Sequence, residues 1–438
     1  MRLPLLSLAL SSGVFAADPL PPVTPPYYSI HYEASDQAGE LAMPVTYTLW
    51  IPEGVRTLRG VIVHQHGCGK GSGVTGQTAA YDLHWQALAR KWDCALLGPA
   101  YQQLTDKDCR NWCDPRNGSD AAFQKALTYF AGESKHAELT AVPWCLWGHS
   151  GGGFWSSLML TLHPGRIAAI FFRSGSAYAV WERGEIPKPT LTPAVYEVPF
   201  LFIGGVKEAQ DKSHGPARVG DRAMLKAWRE HDAPGGLASD PLSGHECGDS
   251  RYLAIAFFDA CLAQRLPGAD SRTQTLRPVQ RDLGWLAEPG TDAARPAREF
   301  AGDKLAAHWL PDATFAKAWS AYNSTGRPAD VTPPPSPKNV RLNGEGELTW
   351  SAEADLESGL GGFLIERDGR EIARLPEKPV GKLGTPLFQG LNGGDTPLIA
   401  LPTMRFKDAS ANAGEKHEYA VRSVNAVGLA SPASAARR

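Results

Sequence analysis

The chain has 438 residues and a net charge of -2, with 44 Lys+Arg against 46 Asp+Glu. That length accommodates a large domain and a smaller one, and the near-neutral balance leaves no basic footprint for nucleic acid. Hydrophobic residues at 43% and charged residues at 21% describe an ordinary globular protein.

In chain order, Met1-Arg2 precedes an apolar run from Leu3 to Val14, with small residues at Ala16 and Ala17. This reads as a signal peptide over 1–17 and predicts a secreted or periplasmic protein. The run is too short to span a bilayer, and no later run is long and apolar enough. Seven cysteines suit an oxidising compartment, and the odd number leaves at least one unpaired. Cys94 and Cys145 lie in apolar strand-like runs and read as buried thiols; Cys68, Cys109, Cys113 and Cys247 lie in loops and read as disulfide candidates.

After a Pro-rich lead, Tyr27 to Glu33 and Val45 to Pro52 alternate as half-buried strands. Continuous apolar strands follow at 60–64, 94–98, 143–147, 167–172 and 199–204, separated by helical segments at 81–92, 120–130, 154–163 and 221–231. This pattern predicts an α/β fold, a mostly parallel sheet with helices on both faces. A last helix is expected from Asp249 to Leu262, with Asp249 as its cap. The segment 267–329 is polar, Pro-rich and poorly periodic apart from a short helix at 315–322. It reads as a decoration, so the catalytic domain spans 27–330 with its core at 27–265.

One stretch carries the chemistry. Pro143 to Trp147 runs into Gly148-His149-Ser150-Gly151-Gly152 and then into a helix. A serine on such a strand-to-helix turn exposes its hydroxyl as a nucleophile beside a helix N-terminus. It needs a base, and His245 in Ser243-Gly244-His245-Glu246-Cys247-Gly248 stands just ahead of the last helix, after the serine as the hydrolase order requires. The acid that orients the imidazole is expected in the loop after 199–204. There Glu208 leads, Asp211 is the alternative and Asp240 stands behind both. Backbone amides of Gly151 and Cys68, the latter in the loop His64 to Gly71, are expected to form the oxyanion hole. His66 reads as a structural hydrogen bond under that loop. No metal or cofactor is implied.

Together these residues resemble the α/β-hydrolase superfamily over about Tyr27 to Arg265. Within it they are most similar to secreted esterases related to polyhydroxyalkanoate depolymerases and feruloyl esterases. The strings His66-Gly67-Cys68, Asp120 to Leu127 and Gly148 to Gly152 carry the likeness. The resemblance implies hydrolysis of a small-molecule or polymer carboxylic ester through an acyl-enzyme. The chain departs from it with Glu208 where Asp is commoner and with an inserted Cys109-Arg110-Asn111-Trp112-Cys113. Tyr101, Trp112, Tyr178, Trp181 and Tyr196 are candidates to line a pocket, or to pack in the core.

A Pro-rich linker over 331–337 leads to alternating strands in 338–438. Leu348-Thr349-Trp350, Arg367-Asp368-Gly369 and Tyr419 to Gly428 resemble a fibronectin type III module, a β-sandwich. Without an exposed aromatic row it reads as a spacer, and removing Pro333 onward is expected to leave turnover of soluble esters unchanged. Two other readings remain: a serine peptidase on the same fold, anchoring its substrate through Arg173 or Glu182, and an inactive adhesion protein.

Overall fold

Eight strands form the main sheet: β1 (Tyr27–Tyr32), β2 (Val45–Trp50), β3 (Gly60–Gln65), β4 (Cys94–Tyr101), β5 (Trp144–His149), β6 (Ile167–Arg173), β7 (Phe200–Gly205) and β8 (Gly235–Asp240). The structure is a computed structural model that describes residues 23–105, 108–268, 274–378, 381, 383–411 and 415–437. The expected signal peptide, 1–17, lies outside the described residues. Strand order is β1-β2-β4-β3-β5-β6-β7-β8. β2 pairs antiparallel with β1 and β4, and every pairing from β4 to β8 is parallel. This is the mostly parallel sheet that the strand and helix pattern predicts.

The central strands are apolar throughout because both faces are covered. On β3, Val61 and Val63 enter one core while Ile62 enters the other. The helices in chain order are α1 (Lys70–Gly76), α2 (Leu83–Lys91), α3 (Cys109–Cys113), α4 (Ser119–Ser134), α5 (Gly151–Leu162), α6 (Tyr178–Glu182), α7 (Gly215–Arg229) and α8 (Arg251–Arg265). Among the described residues no helix is long and apolar enough to cross a membrane.

Two features depart from expectation. β8 reads Gly-Gly-Leu-Ala-Ser-Asp and lacks a strand signal. Its glycines are set by neighbours: a Cβ on Gly235 would strike the Phe200 ring, and one on Gly236 would lie 2.9 Å from the Trp309 carbonyl oxygen. The segment 267–329 carries a small antiparallel sheet of β9 (Trp285–Ala287), β10 (Ala294–Pro296) and β11 (His308–Leu310), followed by α9 (Ala313–Thr325). Strands of three residues are too short to show a period. Trp319 on α9 is buried and donates its indole N–H to the Leu237 carbonyl at 2.9 Å.

The C-terminal region holds two antiparallel sheets. One orders β12 (Lys338–Leu342), β13 (Glu347–Ser351) and β16 (Arg405–Lys407). The other orders β15 (Arg370–Leu375), β14 (Gly362–Arg367), β17 (Tyr419–Val424) and β18 (Ser434–Ala435). Trp350, Phe363, Ile365, Tyr419 and Val421 fill the space between them, as in a β-sandwich. The sandwich is not held at a distance. The connection between β15 and β16 runs back to the start of α2, where Leu83 N–H donates to Gln389 Oε1 (2.9 Å) and Gln389 Nε2 donates to the Tyr81 carbonyl (2.8 Å). Asp395 at its tip is fully buried.

Candidate active site

β5 ends at His149 and α5 begins at Gly151, so Ser150 takes the whole turn, with φ +52° and ψ -112°. Positive φ is costly for a residue with a Cβ and persists only where the surroundings impose it. Here Ser150 N–H donates to the Arg173 carbonyl of β6 (2.8 Å), and its own carbonyl accepts from Phe154 N–H (3.0 Å). The glycines allow close approach: a Cβ on Gly148 would sit 2.6 Å from Gly153 N, and one on Gly152 would sit 2.7 Å from the His66 carbonyl oxygen. The turn is therefore wedged against the loop after β3.

That loop is fixed from below and from the side. His66 is buried, donates from Nδ1 to the Gly67 carbonyl (2.7 Å) and accepts Tyr101 N–H at Nε2 (3.0 Å). Burial lowers its pKa to about 4, so it stays neutral as this bonding requires. Cys68 is bonded to Cys109 at the start of α3, with Cα atoms 5.5 Å apart. A Cβ on Gly151 would collide with Cys68 Sγ and lie 3.3 Å from Cys68 N, so the two residues expected to supply amides are neighbours. Of the four disulfide candidates only Cys68 and Cys109 pair; Cys113 and Cys247 are buried thiols, as are Cys94 and Cys145.

His245 donates from Nδ1 to Glu208 Oε1 at 2.7 Å. Glu208 follows β7 and its side chain is fully buried; its other oxygen accepts from Ser174 Oγ at 2.7 Å. Burial works to raise its pKa, but the bonds from His245 and Ser174 outweigh that and leave it lowered. Asp211 goes elsewhere, accepting from His214 Nδ1 at 2.7 Å. The His214 ring lies flat on His245, with centroids 3.9 Å apart and planes 18° from parallel. Asp240 accepts from Tyr322 Oη (3.1 Å) and Leu242 N–H (2.9 Å). Of the three candidate acids, Glu208 is the one against His245.

The loop bearing His245 is held at its backbone. His149 Nε2 donates to the His245 carbonyl at 2.7 Å; burial, with His245 and Arg173 close by, drives His149 well below the usual histidine range and keeps it a neutral donor. Arg173, fully buried at the end of β6, donates to Ser243 Oγ (2.9 Å) and to the carbonyls of Gly244 (2.8 Å), Glu246 and Cys247 (3.2 Å). Sequence reasoning missed this role, although an arginine closing an apolar parallel strand was a signal that something buried needed a cation. Of the two proposed peptidase anchors, Arg173 is spent on the loop, and Glu182 pairs with Lys188 at the surface (2.7 Å). Tyr101 and Trp112 stack on each other in the core, 4.7 Å apart, and Trp181 is buried too. Tyr178 and Tyr196 pack edge-on against Trp228.

No protein-family profile matches the chain, and no curated protein is similar to it in sequence. Three of the solved structures with a partial likeness to the chain are these. A dienelactone hydrolase from Anabaena variabilis is 18% identical at a TM-score of 0.32, over 50% of this chain and 88% of its own. A cold-adapted esterase from an Arctic intertidal metagenomic library is 16% identical at 0.35, over 55% and 94%. An S-formylglutathione hydrolase from Agrobacterium tumefaciens is 13% identical at 0.37, over 54% and 93%.

Proposed function

We propose that the chain is an exported serine hydrolase cleaving carboxylic esters through an acyl-enzyme. The observation that carries this is the buried Glu208 hydrogen-bonded to His245, whose backbone carbonyl is held by His149, the residue before a serine at positive φ between a strand and a helix. With Glu208 on Nδ1–H, the imidazole presents Nε2 as the basic nitrogen. His245 then takes the Ser150 proton as Oγ attacks the ester carbonyl, and returns it to the leaving alcohol. Water, activated by the same nitrogen, releases the acid and restores Ser150. Glu208 stabilises the imidazolium without itself accepting the proton. The amides of Gly151 and Cys68 receive the oxyanion, aided by the N-terminus of α5. Export is supported by the Cys68–Cys109 disulfide, which persists in an oxidising compartment.

The C-terminal unit reads as a fibronectin type III-like sandwich, supported by three antiparallel strands facing four around Trp350 and Tyr419. A fluorophosphonate probe and a panel of acetyl, feruloyl and hydroxyalkanoate esters test the function. The expected result is labelling at Ser150 and turnover of at least one ester, both abolished in Ser150→Ala. A wild-type chain that neither labels nor turns over an ester defeats the reading and favours the adhesion alternative.

A further inference from the structure

The connection between β15 and β16 brings a carboxylate beneath the active site. Asp395 accepts from Arg251 Nε (2.8 Å) on Oδ1, and from His64 Nε2 (3.2 Å) and Trp85 Nε1 (3.2 Å) on Oδ2. Arg251 Nη2 adds a bond to the Asp395 carbonyl (2.8 Å) and one to Asp82 Oδ2 (2.6 Å). Beside it, the Gly393 carbonyl accepts from Cys247 N–H at 3.1 Å.

We propose that Asp395 is a positioning residue of the hydrolase site, so that the C-terminal unit is part of the catalytic apparatus. This rests on the ester-hydrolase reading above. Two of the three side chains that bond the Asp395 carboxylate, His64 and Arg251, lead to working parts of the site. His64 lies on β3, whose continuation is the Cys68 loop, and its ring stacks on Trp147 of β5 at 4.0 Å; β5 leads directly to Ser150. Arg251 opens α8, directly after the His245 loop. One carboxylate thus ties together the segments bearing the oxyanion amide and the base, while Gly393 fixes the backbone two residues past His245. Asp395, His64, Trp85, Arg251 and Asp82 are all buried. Removing the carboxylate leaves the Arg251 cation with Asp82 alone and leaves two N–H donors unmatched, which a low-dielectric interior does not tolerate without movement. The site has no slack to absorb that movement, since catalytic geometry fails over displacements of about 1 Å.

The test compares full-length wild type with Asp395→Asn, which keeps the shape of the side chain but places an amide N–H against donors. In a folded variant, kcat on a soluble ester and the rate of fluorophosphonate labelling are both expected to fall about 100-fold with little change in KM. A folded variant that labels and turns over at wild-type rates overturns the proposal. A chain with a protease site inserted at Pro333–Pro337 and cut after purification keeps the proposal testable should Asp395→Asn fail to fold. The two pieces are expected to stay together and active, and to lose activity when urea separates them. A hydrolase piece that stays active alone overturns the proposal. An inert wild type removes the hydrolase reading and this proposal with it, whereas an active wild type with an unaffected variant removes this proposal alone.

Discussion

Glu208 and Asp211 stand three residues apart, and each ends on a histidine: Glu208 on His245, Asp211 on His214. Their difference is burial, Glu208 lying beneath the sheet end and Asp211 in water. Only the buried carboxylate works at low effective dielectric, where holding a tautomer and stabilising an imidazolium are worth most. Glu208→Gln is therefore expected to lower kcat by about 10⁴-fold, while Asp211→Asn leaves it within several-fold; steady-state kinetics of the two variants decide. The sequence made Glu208 legible because its place after β7 is set by topology. It left Arg173, His149 and Asp395 illegible as site residues, because their partners are backbone carbonyls or lie hundreds of positions away.

At the scale of elements, the strand-turn-helix around Ser150 was readable because periodicity, glycines and polarity agree along one short stretch. The cysteine pairing was not, since it depends on where α3 packs against the loop after β3. The packing makes Gly151 intolerant of a side chain: Gly151→Ala pushes a methyl into Cys68 Sγ and separates the two amides. Losing one oxyanion donor costs about 3 kcal/mol of transition-state stabilisation, so kcat is expected to fall at least 100-fold, and the clash with the disulfide sulfur to lower the melting temperature as well. β8 escaped notice for a related reason: its glycines answer to Phe200 and Trp309 rather than to any strand propensity.

For the whole molecule, a linker rich in proline suggests two independent bodies, yet the interface is a buried ion pair. Two bodies joined only by a linker melt separately; bodies sharing a core melt together. One calorimetric transition is expected at pH 7. Burial works to raise the Asp395 pKa, but Arg251 and His64 outweigh it and hold it at about 2, below its ordinary 3.8. An acid with a lowered folded pKa lends stability above its unfolded value and loses it as pH falls. The contribution, on the order of 2 kcal/mol, is thus present at neutral pH and lost between about pH 4 and pH 2. Calorimetry through that window is expected to show the single transition broaden or divide, and Asp395→Asn to show the same division already at pH 7.

The bond between His64 and Asp395 spans 331 positions, which carries a consequence for biosynthesis. A ribosome that has released the whole parallel sheet has not yet made Asp395, so a nascent chain halted before it holds Ser150, Glu208 and His245 but lacks the carboxylate bound by His64 and Arg251. A contact between the first quarter of the chain and its last tenth is of long range and closes slowly.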